Sequence, residues 1–165
     1  MCESISERFA KRINLRVAKI TEVNRHPDAD KLYIETISLG DEERTIVSGL
    51  VPYYSAEELA GKHIILVANL KPAKLRGVES NGMLLAAETG DVVEVITVPD
   101  ARPGDRIVLE GFENLEAELP QIISIDEFFE IPIQVKNHHL FVDNKKLVSN
   151  TGPVSTVNVK DGIVA

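Results

Sequence analysis

Residues 45–68 read TIVSGLVPYYSAEELAGKHIILVA, and this stretch predicts a short helix between two strands. The helix is expected over residues 55–61, where a serine cap is followed by acidic residues in the first turn and by a glycine stop. Residues 45–47 and 64–68 are short apolar runs that are typical of strands. The stretch therefore predicts strand, helix and strand in that order.

Further strands are predicted on both sides of this stretch. Upstream, apolar and polar residues alternate over residues 15–23 and 32–37, which are separated by the turn-forming residues 26–30. Downstream, short apolar runs predict strands at residues 83–87, 92–96 and 107–109. Five or six short strands with one small helix between the third and the fourth have the order of an OB-fold barrel. The pattern alone therefore predicts a mainly all-β fold, a small barrel with short helices whose strand order is that of the five-stranded OB-fold.

The chain divides into three predicted parts. Residues 1–13 hold a short helix over residues 3–12, where Ser4 and Glu7 have capping-box spacing. Residues 14–113 form the predicted barrel. Residues 114–165 have few core candidates, apart from Phe128, Phe129, Phe141 and scattered aliphatic residues, and contain a possible hairpin around residues 137–139. This C-terminal extension is expected to pack on the barrel, because so small a core does not fold alone.

Composition limits the class of protein and its surroundings. Of 165 residues, 44% are hydrophobic and 27% are charged, which is the range of a folded protein. No apolar run approaches the roughly 20 residues of a membrane helix, and the acidic N-terminus has no signal-peptide pattern. Cys2 is the only cysteine, which excludes an internal disulfide and favours a reducing compartment. We therefore expect a cytoplasmic protein without a membrane partner.

No enzyme site is predicted. The four histidines do not pair with cysteine or acidic residues at zinc-site spacing, and HExxH, GxSxG and P-loop patterns are absent from the sequence. Asp28 and Asp30 could form a carboxylate pair, but Pro27 and Ala29 beside them favour a capping turn. Cys2 is interpreted as a bystander rather than a nucleophile. We expect no catalytic residue, no metal and no cofactor.

One segment concentrates positive charge. Residues 62–78 contain no acidic residue, although the whole chain has a net charge of -8, which opposes binding to nucleic acid. Its central part, residues 69–83, reads NLKPAKLRGVESNGM, in which Pro72 and Gly77 favour a shaped loop over a helix. Lysine and arginine there could meet phosphates, and the polar residues could meet sugar or base edges. Charge alone leaves a merely solvated basic loop equally open.

Aromatic residues that could stack on nucleobases are scarce. The chain has no Trp, three Tyr and five Phe, and the exposed candidates are Tyr33, Tyr53 and Tyr54. Binding of single strands normally depends on such stacking. Their scarcity favours recognition of the backbone and shape of a folded RNA.

Three motifs resemble one known family. Residues 69–83, the sequence HPDADKL at 26–32 and the sequence IVSGL at 46–50 are similar, in order and spacing, to the tRNA-binding domain family. That family includes the C-terminal domain of endothelial-monocyte-activating polypeptide, a yeast synthetase cofactor, free bacterial tRNA-binding proteins and appended domains of methionyl- and tyrosyl-tRNA synthetases. The resemblance covers residues 14 to about 112.

The resemblance implies a non-catalytic OB-fold module that holds tRNA by its shape. As an accessory subunit or domain it would serve an aminoacyl-tRNA synthetase, preferably the methionyl enzyme. The implied RNA contacts are carried over position by position, and they are Asn69, Lys71, Lys74, Arg76, Ser80, Asn81 and Met83, with Lys31 and Arg25 beside the first motif. The negative net charge leaves a second hypothesis open, a protein-interaction scaffold of a synthetase complex with little affinity for RNA.

The extension also has a counterpart in the family. Eukaryotic members carry a C-terminal extension of similar length, which occupies the surface where free bacterial members pack as homodimers. Residues 114–165 resemble it in length and position. The resemblance therefore implies a monomer with a pseudo-dimeric interface.

Overall fold

A computed structural model describes residues 4–113 and 119–164, and strands dominate its architecture. The helices are α1 (Ile5–Arg12), α2 (Ala56–Leu59) and α3 (Ile125–Phe129). The strands up to the C-terminal extension are β1 (Leu15–Arg25), β2 (Tyr33–Ser38), β3 (Glu43–Ser48), β4 (His63–Val67), β5 (Ala73–Leu75), β6 (Val78–Ser80), β7 (Met83–Leu84), β8 (Ala86–Thr89), β9 (Val92–Val95) and β10 (Arg106–Leu109). The strands of the extension are β11 (Gln134–Lys136), β12 (His139–Val142), β13 (Lys145–Ser149), β14 (Gly152–Pro153) and β15 (Gly162–Val164). No helix in the described residues is long and apolar enough to cross a membrane.

The predicted OB barrel is confirmed. Strand β1 pairs antiparallel with β4 through its first half and with β2 through its second half, and β2 pairs with β3. An irregularity between Ile20 and Glu22 bends β1 so that one strand serves both neighbours. Strand β7 continues the sheet from β4. The Asn81 amide donates to the Thr45 carbonyl at 2.9 Å, which closes the barrel between β7 and β3.

The predicted helix before the barrel and the predicted helix within it are both present, with slightly different bounds. Helix α1 begins at Ile5, because the Ser4 side chain caps it by accepting from the Glu7 amide at 3.1 Å. Helix α2 lies between β3 and β4 as predicted, with a complete capping box between Ser55 and Glu58. It covers only residues 56–59, since Ala60 is already in extended backbone. The buried side chain of Leu59 on this helix packs in the core inside the barrel.

The strand expected over residues 83–87 is divided in two. The chain turns at Leu85, whose amide donates to the Ile65 carbonyl and whose carbonyl accepts from the Ile96 amide. Strand β7 therefore belongs to the barrel, whereas β8 pairs with β9 and with β15 of the extension. A short apolar run could not show this turn, because both halves are buried.

The extension packs on the barrel and has more regular structure than its sequence predicted. Strand β13 pairs with β10, and β15 pairs with β8, so the sheet continues from the barrel into the extension at two edges. The hairpin expected around residues 137–139 joins β11 to β12, with Asn137 and His138 both at positive φ. Of the predicted core phenylalanines, Phe128 is buried but Phe129 is 48% exposed.

Two cores share strands β1 and β4. One face of these strands, with Ala18, Ile64 and Leu66, lies inside the barrel. The other face, with Val17 and Ile65, packs against apolar residues of the extension. Burial on both faces explains why residues 64–68 are continuously apolar. The predicted boundary near residues 112–120 includes residues 114–118, which lie outside the described ranges, and the division into domains stays a prediction.

A buried carboxylate anchors the end of the extension. Glu94 on β9 is 6% exposed, and it accepts hydrogen bonds from the amides of Val157, Asn158 and Val159 at 2.6, 2.8 and 2.8 Å. Three amide donors satisfy a buried carboxylate well. The contact fixes residues 157–159 of the extension to strand β9.

A second buried carboxyl has less support. Glu35 on β2 is fully buried, and only its Oε1 has a partner, the hydroxyl of Ser48, while Oε2 has none. Burial raises the pKa of Glu35 from 4.5 to about 8, against a smaller lowering by the Ser48 hydrogen bond. Glu35 is therefore mostly protonated in the folded protein at neutral pH.

This raised pKa predicts a stability that falls as pH rises. Between pH 4.5 and 8 the folded state holds a proton on Glu35 that the unfolded state releases, so the free energy of unfolding decreases through this window. The decrease is on the order of 5 kcal/mol over the whole window. In Glu35→Gln this contribution is absent, and thermal melts at pH 5, 6, 7 and 8 should show the wild type losing stability relative to the variant. Parallel pH profiles of the two proteins would contradict the assignment.

Candidate nucleic-acid interface

The positively charged segment forms a hairpin that projects from the barrel. Strands β5 and β6 pair with each other, and Arg76 and Gly77, both at positive φ, form the turn between them. The sequence predicted a shaped loop rather than a helix, and the structure adds this two-stranded pairing. All residues from Lys71 to Gly77 are exposed. We call residues 71–80 the cationic hairpin.

The turn at residues 26–30 holds the cationic hairpin in place. His26 is buried, and its Nε2 lies 3.2 Å from the carbonyl of Leu75 on β5. Its Nδ1 accepts from the Asp28 amide at 3.0 Å, so Nε2 carries the proton and donates to Leu75. Arg76 donates to the Asp28 carbonyl at 3.1 Å. The motif at residues 26–32 and the motif at residues 69–83 are therefore joined by the hydrogen bonds of His26.

His26 was not among the predicted site residues. It contacts the cationic hairpin from the interior of the protein. Its position in the motif at residues 26–32 is the one sequence signal that could have identified it. Asp28 and Asp30 form a turn, as favoured, and the structure shows backbone carbonyls as acceptors there: Arg25 donates to the Asp30 carbonyl at 3.0 Å.

Five of the predicted contact residues are exposed cations. They are Arg25, Lys31, Lys71, Lys74 and Arg76. Within the described part of the chain, none of them forms an ion pair, although Lys74 lies opposite Glu79 in the hairpin register. Their side chains are therefore available to phosphates.

Two predicted contact residues are buried and internally bonded. Asn69 is 5% exposed; its Oδ1 accepts from the Asn14 amide, and its Nδ2 donates to the carbonyls of Arg12 and Pro120. Ser80 is also 5% exposed; its hydroxyl accepts from the Val47 amide and donates to the Gly82 carbonyl. Because their polar atoms form hydrogen bonds inside the protein, both residues support the hairpin, and their contact with RNA stays a prediction.

Asn81 and Met83 are half-buried at the base of the hairpin. The Asn81 backbone belongs to the barrel closure, where Arg44 also donates to the carbonyls of Ala68 and Asn81 at 2.6 and 3.4 Å. Met83 lines a groove beside the hairpin. The structure thus separates the predicted set into exposed cations, half-buried residues and internal supports.

The groove beside the cationic hairpin is largely apolar. Its volume is about 360 Å³, and we call it the apolar groove. Its apolar lining includes Leu50, Tyr53, Leu75, Met83 and Ile125, and its polar lining includes Lys71, Ser48 and Glu88. Of the tyrosines that were expected to be exposed, only Tyr53 is, at 49%; Tyr33 is buried and donates to the Tyr54 carbonyl, and Tyr54 is half-buried.

An OB barrel that presents a rigid cationic hairpin defines a class of nucleic-acid-binding domain. The family described as "Putative tRNA binding domain" matches residues 15–106, which is more than half of the chain. The chain belongs to this tRNA-binding domain family. The resemblance of its three motifs is thereby confirmed.

Known relatives extend the comparison beyond the barrel. A methionine–tRNA ligase of Treponema denticola is 43% identical over an alignment of 174 positions, gaps included, which covers 96% of this chain and 22% of that protein. The C-terminal domain of Plasmodium vivax p43 matches with a TM-score of 0.87 and 32% identity, over 94% of this chain and 98% of that one. A MetRS-related protein of Pyrococcus horikoshii matches with a TM-score of 0.58 and 38% identity, over 64% of this chain and 97% of that one. The chain spans about a fifth of the length of the first curated relatives that it matches.

Replacing His26 should loosen the cationic hairpin. In His26→Phe both ring hydrogen bonds are removed, and we expect a fall of about 1–3 kcal/mol in the free energy of unfolding. Hydrogen exchange of the amides in residues 73–80 should become faster.

His63→Phe is the matched control, because His63 bonds to the Ala101 carbonyl at 2.8 Å, away from the hairpin. It should lower stability but leave the hairpin amides protected. Unchanged exchange in His26→Phe would show that the hairpin holds its position without the histidine.

Proposed function

We propose that this domain binds tRNA through the cationic hairpin and is not itself catalytic. The observation that carries the proposal is a set of exposed, unpaired cations on a hairpin that His26 and Ser80 fix to the barrel. Cations on a rigid support lose little conformational entropy when they meet phosphates. With one small hairpin as the contact, the domain recognises the backbone and shape of a folded RNA more than its sequence.

The domain acts as an accessory part of an aminoacyl-tRNA synthetase, and the methionyl enzyme is the preferred one. The likeness to a methionine–tRNA ligase over 96% of this chain supports this assignment. Tethering raises the effective concentration of tRNA near the catalytic part, so a modest affinity suffices. The compartment that we propose for this function is the cytoplasm, in which synthetases meet tRNA.

The net charge of -8 favours a second candidate, a protein-interaction scaffold with little affinity for RNA. The N-terminal helix α1 would be its docking element. In the structure, however, α1 packs Phe9 into the core, and its Arg8 and Arg12 approach Glu130 and Glu127 of the extension at 3.7 and 3.1 Å. These contacts occupy much of the helix, which favours the tRNA-binding proposal.

Charge reversal in the cationic hairpin tests the proposal. A variant with Lys71, Lys74 and Arg76 changed to Glu should bind tRNA at least tenfold more weakly in a polarisation titration with unfractionated tRNA. The dependence of log Kd on log salt should also become shallower, by about 0.7–0.9 for each phosphate that the variant no longer neutralises.

The matched control changes Lys136, Lys145 and Lys160 to Glu. These exposed lysines lie on the extension, and their reversal alters the net charge by the same amount. It should change Kd only slightly. Equal weakening in the two variants would mean that overall charge, and not the hairpin, controls binding; no binding by the wild type at low salt would favour the scaffold.

We further propose that the domain is a monomer whose extension occupies a pseudo-dimeric interface. The extension covers apolar residues such as Val17, Ile65 and Val67 on the outer face of the barrel. It also pairs with two strands, β8 and β10. An apolar face and free strand edges would otherwise favour a second subunit.

Light scattering after gel filtration should therefore give the mass of one 18.2 kDa chain at micromolar concentration. Glu94→Ala removes the acceptor for three amides of the extension, and it should raise the fraction of dimer as the extension loosens. Glu94→Gln keeps one acceptor oxygen and should stay closer to the wild type. A wild-type mass of two chains would contradict the proposal.

A further inference from the structure

The apolar groove and the cationic hairpin share strand β5. Side chains alternate along a strand, and Ala73 and Leu75 line the groove whereas Lys74 between them does not. Lys71, which precedes the strand, is exposed and also lines the groove. The exposed Lys71 therefore brings one cation of the hairpin to the wall of the groove, whereas Lys74 lies on the opposite face of β5.

The groove has the size and chemistry of a site for one flat, partly apolar group. A volume of about 360 Å³ is near the lower end of the range for small-molecule sites. Leu50, Leu75 and Met83 supply apolar contacts, and Tyr53, 49% exposed, supplies an accessible aromatic ring. Ser48, Lys71 and Glu88 add polar groups to this mostly apolar surface.

The groove is fixed before any ligand arrives. The Lys71 amide donates to the Ile123 carbonyl, and the Ile123 amide donates to the Asn69 carbonyl, both at 2.8 Å. The extension then contributes Ile125, 49% exposed, to the groove lining. The barrel, the hairpin and the extension therefore build one preorganised site.

We propose that the apolar groove holds a single unpaired nucleobase of the RNA whose phosphates contact the cationic hairpin. This inference rests on the proposed tRNA-binding function. Tyr53 stacks on the base, the aliphatic side chains enclose it, and Lys71 meets a phosphate of the same segment. One accessible tyrosine serves one base, so the scarcity of aromatic residues is consistent with a folded RNA that presents one unstacked nucleotide.

An apolar peptide is the other occupant that such a groove could take. The charges favour RNA, because Lys71 in the groove wall is followed on the same hairpin by the exposed Lys74 and Arg76, whereas the groove lining holds one carboxylate, Glu88. A polyanion matches that arrangement better than a neutral apolar chain does.

The test compares two RNA duplexes that differ by one bulged nucleotide, with 2-aminopurine as the bulged base. Ala73→Ile fills the groove and leaves every charge in place, and Ala60→Ile makes the same change at an exposed residue that does not line the groove. Wild type and Ala60→Ile should bind the bulged duplex about tenfold more tightly than the fully paired duplex, because stacking adds affinity for each base held. The 2-aminopurine fluorescence should change on binding.

Ala73→Ile should bind both duplexes with the affinity that the wild type has for the fully paired duplex. Tyr53→Ala should lose the preference, and Tyr53→Phe should keep it, because phenylalanine retains the stacking ring. Circular dichroism melts verify that each variant is folded.

Binding of unfractionated tRNA by the wild type, measured in parallel, separates the two proposals. If tRNA binds but the wild type does not prefer the bulged duplex, or if Ala73→Ile keeps the preference, the groove inference is overturned and the proposed function stands. If Ala73→Ile abolishes capture of a fluorescent apolar peptide and leaves the RNA preference intact, the groove is a peptide site and the inference is also overturned. Absence of all tRNA binding in the wild type would overturn the proposed function.

Discussion

The side chain of Asn69 joins the three parts of the molecule. It accepts from the Asn14 amide at the start of the barrel and donates to the carbonyls of Arg12, at the end of α1, and Pro120, in the extension. The next residues along the chain begin the cationic hairpin. A buried amide that satisfies three backbone groups at once tolerates little displacement, because each unmade hydrogen bond costs about 1–3 kcal/mol. The position of the hairpin therefore depends on the same contact that docks the helix and the extension.

The acidic composition and the cationic hairpin coexist because charges act over short distances. Screening limits surface charge interactions to about 8 Å at physiological ionic strength. Arg76 and Arg25 are held by backbone carbonyls of the 26–30 turn, so they are positioned without being neutralised by a carboxylate. The net charge of -8 would slow an encounter with RNA, and in the proposed function attachment to a synthetase would offset that cost by keeping tRNA near.

The sequence allowed prediction of the barrel, but not of the buried polar residues that support the hairpin or of the strand pairing in the extension. Strand order, the helix between β3 and β4, and the exposed cations Lys71, Lys74 and Arg76 follow from periodicity and local charge. The burial of Asn69 and Ser80 could not be predicted, because sequence does not distinguish a polar side chain that faces solvent from one that bonds inside the protein. The short strands of the extension pair with residues far along the chain, such as β15 with β8, and such pairing leaves little local signal.

The extension both covers the outer face of the barrel and forms part of the groove. It packs on the outer face of β1 and β4, and through Ile123 it also bonds to the backbone of Asn69 and Lys71. Ile125 follows two residues later and lines the apolar groove. A segment that only replaced a second subunit would need the first of these contacts and not the others. Undocking the extension would therefore expose an apolar face and deform the groove in one step, which would link the two proposals, the monomeric state and the binding of RNA at the groove.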